Sequence, residues 1–286
     1  MSDPVRRFPL RRSRRLRPRV RPRYRGPSFN RIIPNLMTMV GLCAGLTAMR
    51  FALEGRFESA AIAITVAGVI DGLDGRLARL LKGTSRFGAE FDSLSDFACF
   101  GVAPSLTLYE WSLRRLGGLG YAACVLFAVC MALRLARFNA MTDDRPRPAY
   151  AYNFFAGVPA PAGAGLVLFP IFLGLEANSL GWEAVSTATH HPLVCAPILV
   201  GTAALLVSSL PVWSFKNFKV PAEYVLPLLL GTGLFVALLF ADPWAALAAA
   251  GLLYLAMLPF SVRSFRRLRR EAEALRVDEE APVKTF

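Results

Sequence analysis

The stretch Asp71–Asp96 reads DGLDGRLARLLKGTSRFGAEFDSLSD and puts four aspartates inside a sequence that otherwise looks like membrane. Asp71, Asp74, Gly75 and Ala78 recur at i, i+3, i+4 and i+7. On a helix those positions form one face, with two carboxylates beside two residues that have almost no side chain. Gly83 and Gly88 bracket a polar break, and Asp92 and Asp96 then stand one helical turn apart, with Ser95 beside them. The short turn between the two helices lets them pack antiparallel with their acidic faces opposed. A charge at membrane depth costs roughly 2.5–3.5 kcal/mol even on a lenient insertion scale. Four carboxylates drawn together therefore call for positive charge between them. Hard oxygen ligands suit Mg²⁺ or Mn²⁺, and two such ions form a clamp for displacement at phosphorus. Gly75 and Ala78 leave room for a phosphate, and Arg79 can grip a diphosphate.

Outward from this stretch, the chain is that of a polytopic membrane protein. It has 286 residues, 55% of them hydrophobic, and a mean hydropathy of +0.43, well above a soluble domain. Eight stretches come close to the roughly 20 residues that cross a bilayer as a helix: 35–53, 57–81, 89–110, 120–140, 157–175, 193–212, 223–241 and 244–262. The fold expected is all-α, a polytopic helical bundle of about eight transmembrane helices. "FADPW" between the last two predicts a tight helical hairpin, and Pro159, Pro161 and Pro170 predict a kinked fifth span. Three regions are expected: a basic arm over 1–33, a transmembrane domain over 34–262 and a charged tail over 263–286.

The net charge of +13 sits mostly in that arm, where residues 1–31 hold twelve arginines against one acid, Asp3. An arginine-rich arm can bind nucleic acid. Beside a first membrane helix it is better read as a disordered segment held inside by the positive-inside rule, touching anionic lipid, so no nucleic-acid partner is expected. No cleavable signal peptide is expected, since no apolar core follows the first arginines until after Pro34. The cations of the arm, of Arg76–Arg86, of "DDRPRP", of "SFKNFK" and of "RSFRRLRR" fall on one side of an eight-span chain. That side is the cytoplasm, and it holds both termini and the aspartates. Arg114 and Arg115 are the exception. The five cysteines lie in apolar stretches, none in a CxxC pair, and read as small buried hydrophobes. His190 and His191 are the two histidines, adjacent in a polar connector, so carboxylates must carry the chemistry.

Two other readings compete. Single aspartates near helix ends are commonly wet or paired, here with Arg76, Arg79 or Arg86. Membrane acids also line ion paths in cation transporters, but a path spreads its acids over several spans, whereas these crowd one hairpin.

The pattern Asp71-x2-Asp74-Gly75-x2-Ala78-Arg79-x8-Gly88-x3-Asp92-x3-Asp96 resembles the signature of the CDP-alcohol phosphotransferase family at all eight fixed residues. "PNLMT" (Pro34–Thr38), "RLARFN" (Arg134–Asn139) and "GVPAPAGAG" (Gly157–Gly165) resemble the integral-membrane members that use serine as acceptor. The resemblance covers roughly Pro34 to Lys219. It implies two divalent cations, Mg²⁺ or Mn²⁺, held by Asp71, Asp74, Asp92 and Asp96, with Asp96 also the general base and hence the weaker ligand. It implies contacts from Gly75, Arg79 and Ser85 to the CDP group, with Asn35–Thr38 walling the nucleotide; Ala78 and Gly88 complete the expected donor site. It implies a homodimer in a bacterial-type inner membrane, whose substrates are CDP-diacylglycerol and serine. For the serine carboxylate, Arg134 and Arg137 are the first candidates, with Asn139 beyond them and Lys216 and Lys219 second. The plain alternative for each cation is a snorkelling positive-inside charge. Glycerol phosphate, inositol phosphate or choline as acceptor would leave the main signature unchanged.

Overall fold

The computed structural model describes residues 29–81, 83, 85–141, 154–213 and 222–280. Ten α-helices run in the order α1 (Phe29–Leu53), α2 (Phe57–Leu80), α3 (Arg86–Asp96), α4 (Ala103–Trp111), α5 (Gly118–Met141), α6 (Ala160–Ser179), α7 (Glu183–Thr189), α8 (Pro192–Val207), α9 (Ala222–Ala241) and α10 (Pro243–Glu280). A π-helical turn, Phe97–Val102, joins α3 to α4 without a break in helical backbone. Among the described residues the one sheet is a short antiparallel pair, β1 (Phe154–Ala156) with β2 (Pro211–Trp213).

Local chemistry sets the helix ends. Gly55, at φ 72°, ends α1; its N–H reaches the Ala52 carbonyl and the Arg56 N–H reaches that of Phe51 at 2.8 Å, a Schellman closure that needs a left-handed residue. The Arg56 guanidinium then lies over the Phe51 ring at 4.4 Å. Ser85 caps α3, its hydroxyl accepting from Gly88 N at 3.0 Å. Asp242 alone separates α9 from α10 and accepts from Ala245 N at 3.3 Å, so the expected tight hairpin is present. Of the three prolines expected to kink the fifth span, Pro159 caps α6 and Pro161 lies in its first turn, where a missing N–H costs nothing. Pro170 alone is interior.

The bundle is organised around α6, 67% of whose span is buried inside the protein, against none of α9. Phe100, Phe127, Leu108, Met131, Leu168, Ile171 and Leu206 form its fully buried core. Leu226, Leu229, Leu230 and Phe240 are among many exposed apolar side chains on α9, as expected where lipid is the solvent. Cys99, Cys124 and Cys195 are buried as expected, but Cys43 is exposed, because it sits on an outward-facing turn of α1.

The eight expected spans all contain helix, yet the count is not carried in full. Among the described residues five helices are long and apolar enough to cross a membrane: α1, α5, α6, α9 and α10. The pair α7–α8, bent by 53°, makes a sixth if counted as one span. The other two expected spans, α2 and the helical run from α3 to α4, carry the motif charges, which lower their apolarity. The molecule is an integral membrane protein. α10 continues as helix beyond residue 262, so the charged tail begins as its extension.

Candidate active site

The aspartates reach one place through three elements. α1 packs along α2 and also against α3 and the π turn, forming a third wall beside the two acidic helices. Thr38, buried on α1, donates to Asp74 Oδ2 at 2.7 Å. Ser95, buried on α3, lies 3.5 Å from the Thr38 carbonyl. One turn on, Cys99 donates to the Gly41 carbonyl at 3.4 Å, and its sulfur occupies the space a side chain on Gly45 would need. Small residues on α1 thus let the π turn close against it and hold Asp92 and Asp96 toward α2.

Asp71, Asp74 and Asp92 each offer a carboxylate oxygen within 4.8 Å of the other two. Asp96 stands outside that group of three but within hydrogen-bonding reach of Asp71. A cavity of about 10 Å³ lies among the four, walled by Thr38 and Ser95 and floored by Cys99 and Phe100, about enough for one water-sized occupant. Among the described residues no ion pair neutralises these aspartates. Arg79 instead turns its Nε onto the Gly75 carbonyl at 2.9 Å. A cluster of hard oxygens with no cationic side chain in contact is what Mg²⁺ or Mn²⁺ would fit.

The remaining expected residues divide. A Cβ on Gly75 would meet nothing within 4 Å, so this face of α2 is open to a ligand. Ala78 is half-buried, and its carbonyl accepts from Gly83 N at 3.0 Å, closing α2. A Cβ on Gly88 would come to 2.8 Å from Asn35 Oδ1 and 3.1 Å from Ser85 Oγ, so glycine there lets Asn35, Ser85 and the start of α3 converge. Arg134 donates through Nε to the Val158 carbonyl and lies within electrostatic reach of Asp96. Arg137 donates to the Val207 and Ser208 carbonyls at 3.0 and 3.1 Å. Gly157, at φ 81°, makes this possible: a side chain there would strike both the Leu206 and Ser208 carbonyls. Asn139 donates to the Ser93 hydroxyl at 2.9 Å and so fastens α5 to the acidic helix. Lys216 and Lys219 lie outside the described residues.

The histidines are remote. His190 stacks on Trp111 with ring centroids 3.8 Å apart, and Trp111 lies fifteen residues beyond Asp96 in one helical run, about 22 Å away at 1.5 Å per residue. The linings supplied by Ser95, Cys99 and Phe100 and the Ser93–Asn139 tie were not foreseen. Only Ser95, beside Asp96 in sequence, gave a signal.

The family model described as CDP-alcohol phosphatidyltransferase matches residues 31–195, which contain the four aspartates and the residues that wall them. The chain belongs to the CDP-alcohol phosphatidyltransferase family. A second model, CDP-alcohol phosphatidyltransferase 2, matches residues 223–259, in the α9–α10 hairpin. The chain is similar to a Mycobacterium tuberculosis protein, 40% identical over 257 residues that cover 88% of this chain and 86% of the relative. It is similar to a Helicobacter pylori protein, 35% identical over 224 residues covering 78% and 88%. A Bacillus subtilis protein is 30% identical over 188 residues, covering 65% and 91%. All three carry the name CDP-diacylglycerol–serine O-phosphatidyltransferase. Membership of the CDP-alcohol phosphatidyltransferase family makes this chain a membrane-embedded transferase, and nothing in these likenesses supports the cation-transporter alternative.

Proposed function

We propose that the protein transfers the phosphatidyl group of CDP-diacylglycerol to the hydroxyl of L-serine, giving phosphatidylserine and CMP. The observation that carries this reading is the convergence of Asp71, Asp74 and Asp92 beside the open Gly75 face, in a chain whose relatives bear that activity in their names. Asp71, Asp74 and Asp92, with Asp96 as the weaker ligand, would hold two divalent cations, Mg²⁺ or Mn²⁺. When bound, these neutralise the diphosphate and stabilise the charge that develops on its oxygens.

The protein's own groups do the rest. Asn35, Thr38, Gly75, Ala78, Arg79, Ser85 and Gly88 form the donor site. The serine oxygen forms a bond to the β-phosphorus while the bond from that phosphorus to the CMP oxygen breaks. Asp96 takes the hydroxyl proton, a role favoured by its place outside the group of three. Arg134 holds the serine carboxylate; it keeps guanidinium donors beyond the one given to Val158 and faces the aspartates. Arg137 supports the backbone behind it, and Asn139 and Lys216 are secondary candidates. The site and both termini face the cytoplasm of a bacterial-type inner membrane, with 1–33 a basic arm, 34–262 the transmembrane domain and 263–286 a charged tail. The working unit is a homodimer.

The test is purified protein with CDP-diacylglycerol, Mg²⁺ or Mn²⁺, and labelled serine, glycerol phosphate, inositol phosphate or choline. CMP release that needs both metal and serine, with label entering lipid, is the expected result. Release with a different alcohol alone would move the acceptor and keep the aspartate chemistry. No release with any alcohol would overturn the proposal.

A further inference from the structure

α10 does not stop where its apolar stretch does. It continues as helix to Glu280, and past Phe260 it turns basic. Arg263, Arg266, Arg267 and Arg270 recur at i, i+3, i+4 and i+7, so they share one face, and all four are exposed. Among the described residues one of the four is paired: Arg267 donates through Nε to Glu271 at 2.8 Å. The far side of the helix is the one that holds it in place. Ser261 is buried there and donates to the Pro211 carbonyl at 2.8 Å. The Phe265 ring meets that of Phe154 with centroids 5.1 Å apart.

What the arginine face looks onto follows from the same helix one to three turns earlier. Leu252, Ala256 and Phe260 precede Arg263 by eleven, seven and three residues, spacings that keep to one face. All three are exposed. In a membrane protein such an apolar face looks onto lipid, so the arginines continue a lipid-facing stripe. Their depth agrees. Arg263 lies about 4.5 Å and Arg270 about 15 Å beyond Phe260 along the axis, and the headgroup layer adds about 5–8 Å to each side of the hydrocarbon. Helical side chains lean toward the N-terminus, which here is the bilayer, so the long guanidinium arms reach back to the headgroups. Guanidinium and phosphate pair through two parallel hydrogen bonds. A face of four such groups favours phosphates of net negative charge over zwitterionic headgroups, whose own ammonium it repels.

We propose that the Arg263–Arg270 face of α10 binds the phosphates of anionic phospholipids and so fastens the α9–α10 hairpin to the headgroup layer. The inference depends on neither the donor nor the acceptor of the proposed reaction. It is also separate from the lipid contact expected of the basic arm over 1–33.

The experiment compares the full chain with two variants. One carries Arg263→Gln, Arg266→Gln, Arg267→Gln and Arg270→Gln together; the other carries Lys at the same four positions. Each is reconstituted in nanodiscs of phosphatidylcholine alone or mixed with phosphatidylglycerol, and its thermal midpoint is measured. A ligand that binds the folded state stabilises it, so phosphatidylglycerol should raise the midpoint of the parent by about 2–4 °C. The Gln variant should melt with the parent in phosphatidylcholine and lose at least half of that rise. The Lys variant keeps the charge and should retain most of the rise, and added salt should diminish it. Equal rises in the parent and the Gln variant would assign the effect to the arm or another surface and overturn the proposal. A Gln variant that melts lower by the same amount in both lipids would make the arginines purely structural and overturn it too. An equal rise from inorganic phosphate added to the phosphatidylcholine discs would show a free-anion site in place of a lipid one, with the same consequence.

Discussion

The Thr38 hydroxyl donates to Asp74 Oδ2 over 2.7 Å, joining the first helix to a carboxylate 36 residues away. Both residues are buried, so the bond fixes one orientation of a carboxylate that would otherwise be free to rotate. Thr38→Val keeps the shape and removes the donor. A hydrogen bond to a charged group contributes about 1.5–3 kcal/mol, so the Mg²⁺ concentration for half-maximal activity should rise tenfold or more. Thr38→Ser should restore it. A metal titration of CMP release with an unchanged midpoint in Thr38→Val would show that Asp74 needs no such support.

Asp71→Asn and Asp92→Asn each remove a charged oxygen from the group of three that lies within 4.8 Å. Either change should abolish nearly all turnover in purified protein, and a chelator should do the same to the parent, reversibly on adding Mg²⁺ or Mn²⁺. Normal turnover in either variant would refute a cation site at these oxygens.

Asp96→Asn preserves shape but cannot accept a proton. The loss of a general base costs roughly 10²–10⁴-fold, so kcat should fall by that order while CDP-diacylglycerol still binds. Should kcat hold and donor affinity alone decline, the base must be another group.

Arg134 and Arg137 should separate. Arg134→Lys keeps the charge and loses the planar fork, so the serine KM should rise about tenfold to hundredfold, in line with a charged hydrogen bond, with little change in the donor KM. Arg137→Lys gives up bonds to the Val207 and Ser208 carbonyls and should lower the thermal midpoint while the serine KM stays near that of the parent. Separate KM values, each with the other substrate saturating, and a melting curve check both. Parent-like serine binding by Arg134→Lys would place carboxylate recognition elsewhere.

The aspartate cluster was legible from spacing alone because helical periodicity ties positions three and four apart to one face, whatever surrounds the helix. The apolar runs were legible for the same local reason. Thr38 as the partner of Asp74 was not, since nothing in a sequence measures the approach of two helices. Arg137 resembled Arg134 in its surroundings and differs through the Val207 and Ser208 carbonyls at the end of α8, 70 residues on, which accept from it. The span count fell short where α2 and α3 combine chemistry with membrane depth, and polar residues that serve the site weaken the apolar signal.

The π turn at Phe97–Val102 sits between two ends of one helical run that answer to different neighbours. Its near end directs Asp92 and Asp96 at α2, and its far end delivers Trp111 to the Thr189 carbonyl at 2.8 Å. A π turn takes in one residue more than an α turn, and each residue turns a helix by about 100°. The wide turn therefore works as a phase adjuster, letting the acidic end and the anchoring end each keep its own azimuth. Deleting a single residue between Phe97 and Val102 would convert the turn to ordinary α-helix and force one end to lose its bearing, so such a deletion should be far more damaging than its size suggests.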